Sequence, residues 1–336
     1  MSRARASMHA SRSRVPRSMR RERGVALVMA VLIVALATIL AAEVGFRSYL
    51  DQRRTLNTFS LDQSFEIALG GEAWASDALR RDKMQSSKTD DFTEEWATPI
   101  PPIPLEDVGG EFEGQLEDLQ GRFNLNSLVI FDNNGIGKID PQAVERLQRL
   151  LEVLEIETKW AEMIADWIDS DTNATGFDGA EDPVYTNLSP PYRTANMPIT
   201  RASELLALPD FGPERYRKLA PFVTALPADV RTINLCTASP ELLDALVEGS
   251  RQFTLARDNA KETRAQRCFP NKQEFEAGLN PKQKQELADI VGVTSNYFLA
   301  TIWVTLGTQR FTLYSLLYRN DGANQVRPIL RSYGTL

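Results

Sequence analysis

Histidine is almost missing from this chain: its 336 residues hold one, His9. That removes the commonest general base and any histidine-ligated metal from everything that follows. Cysteine is nearly as scarce, with only Cys236 and Cys268, and no zinc motif surrounds them. Basic residues are outnumbered, 38 against 45 acidic, for a formal charge of −7. Eight arginines and one glutamate lie in residues 1–24, so without that segment the charge is −14. A chain that acidic is a poor partner for a phosphate backbone, which excludes nucleic acid. The remaining composition, 43% hydrophobic and 25% charged, is ordinary globular material for one large or two ordinary domains.

One absence is local. No charge occurs from Gly24 to Ala42, and residues 25–42 (VALVMAVLIVALATILAA) contain one polar side chain, Thr38. Eighteen helical residues at about 1.5 Å each nearly span a hydrocarbon core of about 30 Å. The arginines before the run favour a cytoplasmic N-terminus. Three readings fit: a cleaved secretory signal, a plain signal anchor, or a basic leader cut at the Gly24/Val25 junction where the apolar helix begins. The leader reads as disordered until removed, and Met8 and Met19 are alternative starts.

Beyond the run, Phe59, Leu61, Phe65, Ile67, Leu69, Trp74 and Leu79 alternate with polar residues, so one long helix is expected from Val25 to about Arg81. Gly70-Gly71 is a weak point in it. Pro99-Ile100-Pro101-Pro102-Ile103-Pro104 reads as an extended connector. Residues 111–118 alternate weakly as a strand, and 297–306 and 310–318 form a hairpin around Gly307-Thr308-Gln309. If these strands pair, the chain between them is an insertion. That insertion reads as helical. Asp140-Pro141 opens a helix with Val144, Leu147, Leu151 and Leu154. Trp160, Met163, Ile164, Trp167 and Ile168 make a second apolar face. Ser239-Pro240 opens a third helix, and Asn271 with Glu274 resembles a capping box.

The densest polar constellation is Asp166, Asp169, Asp171, Asn173, Asp178, Glu181 and Asp182. Hard oxygen donors on a loop suit Ca²⁺. Asp169-x-Asp171-x-Asn173 starts like an EF-hand loop and then fails, with Ala174 at the turn glycine and Ala180 at the bidentate glutamate. A solvated acidic loop is the plain alternative. A two-carboxylate hydrolase has no nucleophile elbow, zinc motif or phosphate loop to support it. The turn at residues 208–213 (LPDFGP) resembles a helix-hairpin-helix, but Asp210 and Pro213 suit protein packing better than phosphate. Cys236 and Cys268 are candidates for pairing in an oxidising compartment; two buried thiols are the alternative.

The leader RRERG followed by VALVMAVLIVALATILAAEVGFR resembles type IV pilins and pseudopilins. These usually carry Glu at the fifth mature position, where this chain has Met29. That departure marks the K-type minor pseudopilins of the type II secretion system (the GspK family). The resemblance continues in GRFNLNSL (121–128), DWIDSDTNATGFDGAEDPVY (166–185), PPYRTANMPI (190–199), SELLALPDFGPERYRKLAPFVTALP (203–227) and INLCTASPELLDAL (233–246).

The resemblance implies an α+β fold: a long N-terminal transmembrane helix on a small antiparallel pilin-like sheet, with a large all-α domain inserted between strands. The expected parts are a cleaved leader, 1–24; the N-terminal helix, 25–82; a pilin-like domain, 83–121 with 295–336; and the inserted domain, 122–294. It implies prepilin-peptidase cleavage after Gly24 and methylation of Val25. It implies no enzymatic activity, and a place at the pseudopilus tip, where no subunit above needs the missing Glu. Partners would be I- and J-type minor pseudopilins, with the H-type and secreted substrates as further candidates, and the inner-membrane assembly platform. The chain would cross the inner membrane once, its bulk periplasmic. Calcium is implied in the helical domain, carried onto Asp169, Asp171, Asp178, Glu181, Asp182 and Asn196, with Asp171, Glu181 and Asp182 foremost. A minor pilin of a type IV pilus and a membrane-anchored exported hydrolase are the competing functions.

Overall fold

The computed structural model describes residues 19–85, 88–132, 134–320 and 325–335. The expected leader lies outside the described residues as far as position 18. The chain divides between Asp62 and Gln63 into two compact units. The first is helix alone, the front of α1 (Met19–Met84), and it is long and apolar enough to cross a membrane. Its one polar side chain within the apolar run, Thr38, spends its hydroxyl on Val34 O (2.9 Å) and Ala35 O (2.8 Å), so nothing polar is left facing outward there. Charge resumes at once with the Glu43–Arg47 pair, 2.5 Å apart.

In the second unit α1 continues to Met84 and lies on a five-stranded antiparallel sheet. The strands are β1 (Ile100–Leu105), β2 (Gly110–Asp118), β9 (Tyr297–Leu306), β10 (Gln309–Asn320) and β11 (Gln325–Tyr333), in spatial order β1-β2-β9-β10-β11. The prolines at 101, 102 and 104 were expected to make a connector. They sit in an edge strand instead, where a missing N–H costs no ladder bond. The buried face of α1 is also not the one its large residues suggest. Ser64, Ala68, Glu72, Ala75, Leu79 and Asp82 are buried, at helical spacing, while Trp74 is exposed. Small side chains let the helix settle close to the sheet. Gly71 belongs to that stripe: a Cβ there would meet the Phe112 ring at 2.5 Å, so it is a contact point rather than a weak one. The core beneath contains Phe112, Trp96, Phe298, Ile302, Val304, Leu313 and Leu317. Glu72 is the polar tie: Arg331 on β11 grips it through Nε and Nη2 (both 2.7 Å), and the Ser315 hydroxyl donates to it at 2.6 Å.

The chain between β2 and β9 forms the insertion. In order it contains β3 (Phe123–Asn124), β4 (Val129–Phe131), β5 (Gly137–Ile139), α2 (Pro141–Val153), α3 (Trp160–Ile168), α4 (Asp182–Thr186), α5 (Gly212–Leu219), β6 (Val223–Thr224), β7 (Ile233–Asn234), α6 (Pro240–Leu246), α7 (Gln252–Leu255), α8 (Arg257–Arg264), α9 (Lys272–Glu276), α10 (Pro281–Leu287) and β8 (Val291–Gly292). The expectation of an all-α insertion is therefore corrected. Three two-stranded ladders, β3-β6, β4-β5 and β7-β8, run among the helices.

The caps read from sequence are in place: Asp140, Ser239 and Asn271 each accept from the first turn of their helices, and Asn280 repeats the Asn271 arrangement. Asn124 and Asn126 act as staples. Asn124 Nδ2 donates to Pro227 O and Val230 O (both 2.9 Å), and Asn126 Nδ2 donates to Ile199 O (2.9 Å) and Leu226 O (2.8 Å). Cys236 and Cys268 are joined as a disulfide, their Cα atoms 4.6 Å apart.

Truncating Glu72 to alanine leaves the Arg331 guanidinium and Ser315 hydroxyl without their shared acceptor. Because Arg331 is half-exposed, the expected loss is about 2 kcal/mol rather than the full cost of breaking a buried pair. Urea denaturation of the full chain in detergent reads it directly; an unmoved midpoint would remove Glu72 as the tie between α1 and β11.

Candidate metal centre

Asp166 lies in the last turn of α3, and Asp169 follows the helix as its C-cap in extended backbone. Their separation of three residues puts both carboxylates on one side of the helix end. Glu181 stands just before α4, also in extended backbone, and points its side chain to the same place. Asp166, Asp169 and Glu181 each bring an oxygen within 4.8 Å of the other two. All three are buried, at 0%, 2% and 3% exposure.

The loop between them is built to hold this arrangement. Thr175 N–H donates to both Asp166 oxygens (3.2 and 3.1 Å). Gly179 N–H closes back on Thr175 O at 3.0 Å. Asp178 N–H donates to Glu162 Oε2 of α3 at 2.9 Å. Two glycines are needed. Gly176 has φ +66° and lies against the Glu162 carboxylate, and a Cβ on Gly179 would run into the Asp166 carboxylate.

Three buried carboxylates this close repel one another and have lost their water. Burial first, then the nearby Asp171 and Asp166 charges, pushes the Asp169 carboxyl up to about 7. Burial, then Asp166, Asp169 and Asp171, pushes Glu181 up to about 7. Asp166 is raised by burial as well, though its backbone donors oppose that. Asp169 Oδ1 and Glu181 Oε1 are buried with no hydrogen-bond partner. Asn196 Oδ1 shares that condition; its backbone is left-handed (φ +46°), and its amide donates to Asp171 O at 2.9 Å. Orphaned hard oxygens around a carboxylate trio are the donor set a hard divalent cation requires, so the residues fit calcium.

The trio differs from the order of importance expected from sequence. Of Asp171, Glu181 and Asp182, only Glu181 belongs to it. Asp171 is exposed, and its Oδ1 accepts from Asn173 N–H (2.7 Å), so it acts on the trio by charge. Asp178 is exposed. Asp182 turns to Thr194, accepting from its N–H (3.2 Å) and hydroxyl (3.1 Å). Asp166 was within the acidic constellation but not among the chosen ligands; its three-residue offset from Asp169 was the signal available.

A second acidic group, Asp82, Asp90 and Glu94, is equally close-set, but a cation of the chain fills it: Arg319 pairs with Asp82 at 2.8 Å and with Asp90. In the turn at 208–213, Arg215 Nη1 donates to Asp210 O (3.1 Å) and Phe211 O (3.2 Å), which ties the turn to α5.

Comparison with known proteins gives a consistent result. A family model described as type II secretion system (T2SS), protein K matches residues 121–228. Type II secretion system protein K of Pseudomonas aeruginosa is 36% identical over 325 residues, covering 94% of both chains. The protein of the same name from Aeromonas hydrophila is 33% identical over 90% of this chain and 94% of its own. Among solved structures, the GspK-GspI-GspJ complex from the enterotoxigenic Escherichia coli type 2 secretion system contains a chain matched with a TM-score of 0.72 and 25% identity, covering 84% of this chain and all of that one.

The raised carboxyls set a sign for pH. Unfolded, Asp169 and Glu181 titrate near 4; folded and cation-free, near 7. The folded state therefore holds extra protons between about pH 4 and 7, and stability falls as pH rises through that window. Cation-free protein is expected to melt at a higher temperature at pH 5.5 than at pH 7.5, by differential scanning calorimetry. Saturating calcium, which needs the ionised carboxylates, should remove or invert that trend. A cation-free melting temperature that rises with pH across this range counts against the trio as described.

Proposed function

Because this chain belongs to the protein K family of the type II secretion system, and is thus a minor pseudopilin, we propose that it caps the tip of the pseudopilus. The observation that carries this reading is Met29. The chain lacks the fifth-position glutamate that would neutralise the terminal amine of a subunit above it, so it suits a position with nothing above. The large insertion between β2 and β9 favours the same place, since a bulky domain obstructs further stacking. The related GspK was solved in complex with GspI and GspJ, which supports I- and J-type minor pseudopilins as the partners here. The apolar start of α1 would anchor the chain once in the inner membrane. The arginine-rich leader would stay cytoplasmic, leaving the insertion and sheet periplasmic. Gold-labelled chain in overproduced pseudopili should mark one end of each fibre. Label along the length would overturn the tip assignment, and a Met29→Glu variant that moves label into the shaft would strengthen it.

The acidic centre is read here as structural. We infer that calcium is held by Asp166, Asp169 and Glu181, with the Asn196 side-chain oxygen as a further donor. Bound there, the ion would supply charge neutralisation that orders the loop between α3 and α4. The proteins this chain resembles are protein K of the type II secretion system, which supports a structural rather than a hydrolytic role for the trio. An ion that binds only the folded form stabilises it by about 2.7 kcal/mol at a hundredfold excess over its dissociation constant. Calorimetric titration of chelator-treated full chain in detergent should show calcium binding, with a matching rise in melting temperature. Asp169→Asn and Glu181→Gln are expected to abolish both. Asp178→Asn and Asp289→Asn, at exposed positions, should leave both intact. Binding that survives loss of the trio but not of Asp178 would return the site to the outer loop.

A further inference from the structure

We propose that Tyr185 and Trp167 are positioning residues of the cation centre, their O–H and N–H groups fixing water molecules that complete the coordination of the bound ion. This rests on the reading of the trio as a calcium site. Unsatisfied atoms are concentrated there. Among the described residues, eight buried side-chain nitrogens and oxygens have no hydrogen-bond partner, and five of them belong to Trp167, Asp169, Glu181, Tyr185 and Asn196. The set is mixed. Asp169 Oδ1, Glu181 Oε1 and Asn196 Oδ1 are acceptors, whereas Trp167 Nε1 is a donor and the Tyr185 hydroxyl is both.

The fold holds the two aromatic groups near the carboxylates. Trp167 follows Asp166 in α3. Tyr185, in α4, comes one helical turn after Glu181, the residue that opens that helix. The rings of Trp167 and Tyr185 have centroids 5.3 Å apart, and the Tyr192 ring lies 5.4 Å from that of Tyr185. Tyr185 is fully buried and Trp167 is 6% exposed, so bulk water does not serve them. The Tyr192 hydroxyl is spent on Ala207 O at 2.6 Å. Burial first, then Tyr192, Asp166 and Glu181, raises the Tyr185 hydroxyl, which therefore keeps its proton and senses two members of the trio.

A cation alone does not settle this set. It draws in the acceptor oxygens and repels the N–H and O–H protons. A water on the ion does both: its oxygen binds the cation and accepts from a donor, while its protons go to carboxylate oxygens. Calcium also needs such water. One oxygen from each of Asp166, Asp169, Glu181 and Asn196 makes four, and calcium takes about six to eight. A buried hydroxyl without a partner costs stability in the cation-free protein, and the arrival of ion and water removes that cost. The Tyr185 hydroxyl therefore opposes the cation-free fold and favours the loaded one.

The two effects have opposite signs and are measured separately. In full chain in detergent, Tyr185→Phe is expected to weaken calcium binding about tenfold by calorimetric titration. The same variant, cation-free, should melt at the temperature of the unaltered chain or slightly above it. Europium(III) bound in place of calcium should carry coordinated water, counted from its luminescence decay in light and heavy water. That measurement needs no variant and decides the matter if Tyr185→Phe does not fold. Unchanged calcium affinity in Tyr185→Phe overturns the inference and leaves the calcium centre standing. A cation-free variant that melts several degrees lower shows the hydroxyl already bonded within the protein and overturns it too, as does a europium centre without water. Failure of the unaltered chain to bind calcium removes the centre itself and this inference with it.

Discussion

One buried polar chain ties the sheet to the insertion. Arg319, on β10, pairs with Asp82 at the end of α1 and with Asp90, donates to Ser295 O at 2.7 Å, and lies over the Phe298 ring at 4.9 Å. Ser295 continues the chain: its N–H donates to Asp90 and its hydroxyl to Asp118, both at 2.7 Å. Asn234 of the insertion then donates to Asp118 (2.8 Å) and Asp90 O (2.9 Å), and the Thr237 hydroxyl also reaches Asp118 (2.6 Å). These groups come from distant parts of the sequence, so no local stretch can satisfy them. Leaving a buried charge unpaired costs several kcal/mol, so the arrangement of sheet, α1 and insertion is held by mutual need. The two large apolar clusters lie separately under sheet and insertion, and only a small one, Leu119, Leu226 and Leu299, joins them among the described residues, so the polar chain adds specificity that this packing supplies less sharply.

Asp118 and the acidic trio make an instructive contrast. Both are buried, and in both burial raises the carboxyl. Asp118 collects four donors, from Gln120 N–H, Asn234, Thr237 and Ser295, and is complete within the protein. Asp169 and Glu181 each keep an oxygen with none. Burial and acidity alone therefore do not set the trio apart from Asp118; the missing donors do. Asp82 and Asp90 support the rule from the other side, since a guanidinium fills the place an ion would take.

Sequence carried the periodic and punctuated features well. The hairpin β9–β10, strand β2, and the caps at Asp140, Ser239 and Asn271 all depend on near neighbours. What escaped was set by distance. The large apolar residues of α1 pointed to one stripe, but close approach to the sheet selected Ala68, Gly71 and Ala75, with Glu72 retained because Arg331 lies far along the chain opposite it. Strand β11 was not expected, since its alternation is broken by Pro328 and by charged residues suited to an edge. In the acidic stretch, the family resemblance put Asp171, Glu181 and Asp182 foremost, and of these only Glu181 belongs to the trio. The helix end turns Asp166 inward beside the expected Asp169, which only their three-residue spacing along α3 could have revealed.

The insertion has an energetic character of its own. Its longest helix, α2, has 13 residues, and several others have five or fewer. Helices this short have little stability by themselves. The order of this domain must come from ties across the chain, and the structure supplies them in kind. Asn124 and Asn126 pin segments about a hundred residues away, and the Cys236–Cys268 bridge joins α6's approach to the turn before α9. The carboxylate trio is of a different sort, because as a bare cluster it opposes folding and becomes a tie only with charge brought from outside. With the cation proposed for the trio in place, a domain assembled this way would couple its rigidity to the Cys236–Cys268 bridge and to cation supply.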